Sequence, residues 1–200
     1  MNLYLVPNDP EVMTLVSSNG IAHYQVTTSK PQAFGTPAVS RIKRPAETEN
    51  DSIVAEIEWR RWGAHPIVRS NVFDGSVQEL QVKELLYKLG SRWSPTRYFL
   101  GNDDEVYRWK VVKGIGPILT NYNTGKEVAR FKQNLVEEGF FRGERKWHLQ
   151  VQPSSLDIDM VVITFMIMEK KRRDRVADPH AVRALDHDED PGEGGGTECG

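Results

Sequence analysis

A single cysteine, Cys199, stands in the 200 residues. That excludes an intramolecular disulfide and any multi-cysteine metal site, and a reducing, intracellular setting is expected. Long apolar runs are just as scarce. The most apolar stretch, Met160–Met168, is relieved only by Thr164, but Asp157 and Asp159 bound it on one side and Glu169-Lys170-Lys171-Arg172-Arg173 on the other. A spanning helix needs about 20 apolar residues, so no transmembrane segment is expected. The opening MNLYLVPNDPEV has no basic stretch ahead of an apolar core, and no secretory signal is read there. Cys199 sits one residue from the end, which does not fit a prenylation box, and the Asn50-Asp51-Ser52 sequon is taken as a chance match.

A large excess of either charge is missing too. The net charge is −2, yet Asp186, Asp188, Glu189, Asp190, Glu193 and Glu198 lie in a stretch without Lys or Arg. Removing those six carboxylates leaves the rest at +4, too small an excess to announce nucleic acid, and none is expected as a partner.

Catalytic signatures are not found. Thr124-Gly125-Lys126 lacks the upstream glycine of a phosphate-cradling loop, and Gly114-Ile115-Gly116-Pro117 does not open a helix, so both read as turns. His23, His65, His148, His180 and His187 show no i, i+4 pairing, and Asp157 and Asp159 are accounted for as helix-capping acids. The expectation is a protein that is not an enzyme, with no cofactor and no metal.

What is present is a succession of short strands. Candidates are Leu3–Val6, Val12–Ser17, Ile21–Thr28, Val39–Arg44, Ser52–Arg60, Pro66–Ser70, Thr96–Gly101, Glu105–Val112, Ile118–Asn121, Glu127–Lys132 and Arg145–Gln152. In Tyr107-Arg108-Trp109-Lys110-Val111 the period of two turns Tyr107, Trp109 and Val111 inward and Arg108 and Lys110 outward. Asn19-Gly20 and Thr124-Gly125 mark hairpin tips. Ser29–Pro37 reads as a loop, and Val82–Leu89 reads equally as a helical turn or a strand.

The apolar run itself has β-branched residues that favour a strand, but its flanks favour a helix. Ser154 followed by Asp157 resembles a capping pattern, and acids at the start with bases at the end match the helix macrodipole. A helix apolar on every side is buried on every side. The reading is a mainly β fold, a closed antiparallel β-barrel of about twelve strands around a central hydrophobic helix at about 156–173. One domain covers 1–175, and an acidic, Gly-rich tail at 176–200 is expected to be disordered.

The motifs GNDDEVYRWK, NYNTGKEVARF and DIDMVVITFMIMEKKRR, in that order, resemble an uncharacterised family found mainly in mushroom-forming fungi. The matching residues are Tyr107, Trp109 and Lys110, then Thr124, Gly125, Lys126, Val128 and Ala129, then Glu169, Lys170, Arg172 and Arg173. That family is similar to the superfamily of the tubby C-terminal domain, the plant LURP-one-related proteins and the phospholipid scramblases. The resemblance covers about residues 2–175 and implies twelve strands around a hydrophobic helix. Some tubby domains bind phosphoinositides through basic surface residues, but fold does not carry function.

Two basic clusters are candidate lipid-binding residues: Lys170, Lys171, Arg172 and Arg173, joined by Arg175, and Arg41, Lys43 and Arg44. Beside an anionic leaflet each charge is worth about 1 kcal/mol; the plainer reading of the first cluster is a solvated helix end. Trp59-Arg60-Arg61-Trp62, Arg92-Trp93, Arg97-Tyr98-Phe99 and Arg145-Lys146-Trp147-His148 interleave aromatics and bases as single-strand nucleic-acid sites do, and strand alternation yields the same pattern. The expected function is a non-catalytic module binding anionic phospholipid, in the cytoplasm and peripherally at membranes, with the nucleus left open. The alternatives are a protein-interaction module using the acidic tail or a strand edge, and a small-ligand binder or hydrolase.

Overall fold

Period-two alternation becomes twelve strands. The computed structural model describes residues 1–29, 36–60, 64–73, 75–90 and 94–177. Asp74, the Arg61-Trp62 and Arg92-Trp93 pairs, most of the loop at 29–37 and the tail from 178 onward lie outside these residues. The first seven strands are β1 (Asn2–Val6), β2 (Val12–Val16), β3 (Ala22–Ser29), β4 (Ala38–Lys43), β5 (Ile53–Trp59), β6 (Ile67–Ser70) and β7 (Gln78–Gln81). The other five are β8 (Arg97–Leu100), β9 (Val106–Val112), β10 (Gly116–Asn121), β11 (Glu127–Leu135) and β12 (Arg145–Val151). Short helices α1 (Glu49–Ser52) and α2 (Val82–Leu85) interrupt them, and α3 (Ile158–Ala177) closes the described chain.

All pairings are antiparallel within one sheet, ordered β7-β6-β5-β4-β3-β2-β1-β12-β11-β10-β9-β8. Two meanders therefore meet where β1 pairs with β12, with Leu3 opposite Leu149. Leu3, Leu5, Met13, Leu15, Val26, Ile42, Ile57, Val68, Phe99, Trp109, Leu119, Phe131 and Leu149 join a single core with α3. Met160 to Met168 are buried on every face of that helix. A flat sheet of twelve strands would be roughly 55 Å wide against a helix of about 10 Å. Strands from both ends of the order reach the same helical core, so the sheet curls around α3.

The expected closed barrel is met only to this extent. The two ends of the order, β7 and β8, are not hydrogen-bonded to each other. Between them the chain turns into α2, where Val82 and Leu85 are buried, and then forms a single antiparallel bridge from Tyr87 to Tyr98 of β8. The two backbone bonds of that bridge are 3.0 and 2.9 Å. Placing both apolar residues of a Val-x-x-Leu step on one side requires a helical turn, and that turn takes this segment out of the ladder.

The helix begins two residues later and runs farther than expected. Asp157 caps it, its Oδ1 accepting from Asp159 N at 2.8 Å, while Ser155 donates to Asp103. Val176 and Ala177, assigned to the tail by sequence, belong to α3. The polar side of Thr164 is satisfied inside the core: it accepts from Trp109 Nε1 at 3.0 Å and donates to the Met160 carbonyl at 2.8 Å. No helix among the described residues is long and apolar enough to cross a membrane.

Candidate functional site: a basic sheet face bearing tyrosines

The seven basic residues singled out by sequence fall in four places. Lys170, Lys171, Arg172 and Arg173 lie at the C-terminal end of α3, and Arg172 and Arg173 converge on one carboxylate, Glu169, which is fully buried. Arg172 Nε and Nη2 donate to Glu169 at 2.7 and 2.8 Å, and Arg173 Nε donates at 2.7 Å. Arg173 also donates to the Asn8 carbonyl at 2.7 Å. Lys170 donates to Glu11 at 2.9 Å and to Asp174 at 3.2 Å and sits 5.3 Å from the centre of the Trp59 ring. These bonds tie the helix end to the β1–β2 connection. Lys171 is half-buried.

The other three residues do not join that group. Arg44 reaches the opposite end of α3, where it pairs with Asp159, and Tyr24 of β3 donates to the same carboxylate at 2.6 Å. Burial raises the Asp159 carboxyl above its usual range, against the hydrogen bond from Tyr24 and the charge of Arg44. Burial likewise raises the Tyr24 hydroxyl, with Asp159 adding to the effect. Lys43 donates to Glu49 at 2.8 Å. Arg41 starts a row of alternating charges across the outer face of β4 to β7, where the register aligns Arg41, Glu56, Arg69 and Glu79. Arg41–Glu56 is 2.6 Å and Arg69–Glu79 is 2.7 Å, with Glu58 bonding Arg60 at 2.8 Å and Arg69 at 3.1 Å. Cross-strand pairs of opposite charge stabilise a sheet and neutralise its face.

The outer face of β8 to β12 differs. Alternation on β9 turns Tyr107 and Trp109 into the core, where they are 1% and 0% exposed, and turns Arg108 and Lys110 outward. On β11 the inward residues are Val128 and Phe131, and Arg130 and Lys132 lie on the other face. Arg130 is paired with Glu127. Arg108, Lys110 and Lys132 have no carboxylate partner among the described residues. Lys113, at the β9–β10 tip beside the exposed Ile115, and Lys126, at the β10–β11 turn, add two further exposed cations.

Tyrosines flank this surface. Tyr98 lies opposite Arg108 in register, and Tyr87, Tyr98 and Tyr122 form a chain with ring centres 6.2 and 5.4 Å apart. The Arg108 guanidinium stands 5.9 Å from the Tyr122 ring centre, within reach of a cation–π contact. Arg108 Nε and Thr120 Oγ1, on facing positions of β9 and β10, are buried without a hydrogen-bond partner. Buried polar atoms are nearly always paired, so these two stand out on this face.

The sequence places Arg108 and Lys110 outward but does not single them out, because bases that alternate with core residues never form a run. The signal that finds them is the absence of a cross-strand acid, which needs the register. Inside the sheet, Ile163, Phe165 and Ile167 are fully buried. Compared with known families, residues 8–174 match the model of a family of unknown function, DUF6593. No curated protein and no solved structure matches the chain.

Proposed function

Since the chain belongs to DUF6593, a family without an assigned activity, we propose from its surface chemistry that it is a non-catalytic module that docks on anionic phospholipid headgroups. The docking face is the outer surface of β9 to β11. One observation carries this reading: Arg108 and Lys110 on β9, and Lys132 on β11 one strand beyond β10, stand without acidic partners among the described residues, whereas the bases of β4 to β7 are neutralised in register. Near an anionic leaflet each cation contributes about 1 kcal/mol, so a few together hold a protein reversibly. Ile115 beside Lys113, and Tyr122 at the other end of β10, supply apolar bodies with polar neighbours at a depth suited to the headgroup region. A cytoplasmic module peripheral to membranes is the corresponding setting. The resemblance to the tubby-like superfamily belongs to the same proposal, since a sheet curled around an apolar helix agrees with it.

Co-sedimentation with vesicles tests the reading. Vesicles of phosphatidylserine or phosphatidylinositol phosphates pellet the protein at low and physiological salt, and phosphatidylcholine vesicles do not. Absence of pelleting with every anionic vesicle at low salt overturns it. A second reading, docking of a protein partner, draws on the tyrosines around Arg108, a composition typical of interface hot spots. It is selected if Tyr122→Ala abolishes capture of a partner and leaves vesicle pelleting unchanged.

A further inference from the structure

The outer face of β1, β12 and β11 carries a second feature, beside the basic face and sharing Lys132 with it. The connection between β11 and β12 folds back as a lobe, closed by Val136 N to Glu144 O at 2.9 Å and Gly143 N to Val136 O at 2.8 Å. Its Phe141 packs on Tyr4 with ring centres 5.3 Å apart, and Tyr4, Val136 and Phe141 form a small apolar cluster outside the main core. The lobe also docks on the β2–β3 hairpin through Phe140 N to Ser18 O at 2.8 Å. Gly139 lies so close to that hairpin that a Cβ there would be 2.2 Å from the Ser18 carbonyl. Between lobe, hairpin and sheet is a cavity of about 710 Å³. That is within the roughly 300–1,000 Å³ of small-ligand sites, and its walls are held by backbone bonds.

Asn19, in the lining, already accepts from Ser17 Oγ at 2.6 Å, but several other polar side chains there have no partner among the described residues. Register puts Asn2 beside Gln150 on adjacent strands, and Lys132 beside His148. The side chains of Asn2, Gln150, Asn134 and Lys132 line the cavity with Glu137 and Glu138, and none makes a hydrogen bond or ion pair to the described residues. His148, 3% exposed, lines the same space, and its Nδ1 has no partner. Carboxamides donate and accept, carboxylates accept, and an ammonium donates. Two acids against one lysine disfavour an anion. The aliphatic lining, Leu135 and Val136, is too small to hold an apolar ligand. A ligand that offers closely spaced donors and acceptors without net charge fits this set, and that is the chemistry of vicinal hydroxyls.

We infer that this cavity is a binding site for a neutral polyhydroxylated ligand, a mono- or disaccharide. Asn2, Asn134 and Gln150 engage ring hydroxyls, and Glu137 and Glu138 accept from vicinal pairs at the rim. The test is ligand-observed NMR saturation transfer on the full chain. Probes are glucose, mannose, N-acetylglucosamine and trehalose at millimolar concentration, with inorganic phosphate and glycylglycine as rival chemistries. A saturable signal from at least one saccharide is expected, weakened at least fivefold by Asn134→Ala and by Gln150→Ala. Lys110→Glu, on the proposed headgroup face, leaves it unchanged, so the two proposals fail separately. The inference is overturned if no saccharide gives a saturable signal. It is also overturned if the signal survives both alanine variants with unchanged thermal midpoints, or if only phosphate or glycylglycine binds.

Discussion

His148 is a residue whose charge the fold resists. Burial lowers the pKa of its imidazole from the ordinary 6.5, and the nearby Lys132 ammonium adds to this against a bond to the Lys146 backbone. The neutral ring is therefore the folded form, while the unfolded chain takes up the proton near pH 6.5. The unfolded state binds more protons below that pH, so stability falls as the pH drops from about 6.5 toward the lowered folded value. Thermal midpoints measured from pH 7.5 to 5 should show a steeper decline in the native protein than in His148→Gln. Parallel curves would remove His148 as the cause. Gly139 offers a second residue-scale test. Its φ of +85° and its approach to Ser18 leave no room for a methyl group, so Gly139→Ala should cost more than about 1–3 kcal/mol in urea unfolding. Gly114→Ala, at φ +79° in open space, isolates the backbone part of that cost. Facing was legible at this scale: alternation alone puts Tyr107 and Trp109 inside and Arg108 and Lys110 outside. Partnership was not, because Arg172 and Arg173 look exposed in sequence until a buried Glu169 one turn earlier is seen to hold both.

Among the elements, α3 carries the most consequence. Thr164 is the one polar residue between Met160 and Met168, and its hydroxyl accepts from Trp109 of β9. Thr164→Val keeps the shape and leaves the indole N–H unpaired, so a loss of about 1–3 kcal/mol in unfolding free energy is expected. No loss would mean the indole finds another acceptor. Glu169→Gln tests the other end of the helix. It removes a carboxylate that takes three charge-assisted bonds, and because the half-buried Arg172 and Arg173 can turn to water the expected cost is about 2 kcal/mol. The existence of the helix, and eleven of the twelve strands to within a few residues, follow from pattern. The strand that does not is β7, Gln78-Glu79-Leu80-Gln81, whose single apolar residue gives no period to read. The cap was misplaced for a related reason: Ser154 and Asp157 are both good cappers, and the choice between them depends on Asn102, which accepts from Asp157 N at 2.9 Å.

For the whole molecule, the division of charge between the two meanders matters more than the net charge. The first presents a neutralised ladder from Arg41 to Glu79, and the second presents Arg108, Lys110 and Lys132 without acids opposite. Composition hides this, since both halves are rich in Lys and Arg, and only the cross-strand register separates them. The most direct test compares two double variants, each losing two charges, for pelleting with phosphatidylserine vesicles at physiological salt. Lys110→Gln with Lys126→Gln, on the second meander, should weaken binding about tenfold or more, at about 1 kcal/mol per charge. Arg41→Gln with Lys43→Gln should leave binding within about twofold of native, because those charges are already paired. Equal losses in the two proteins, or a loss confined to the Arg41 and Lys43 pair, would contradict the account.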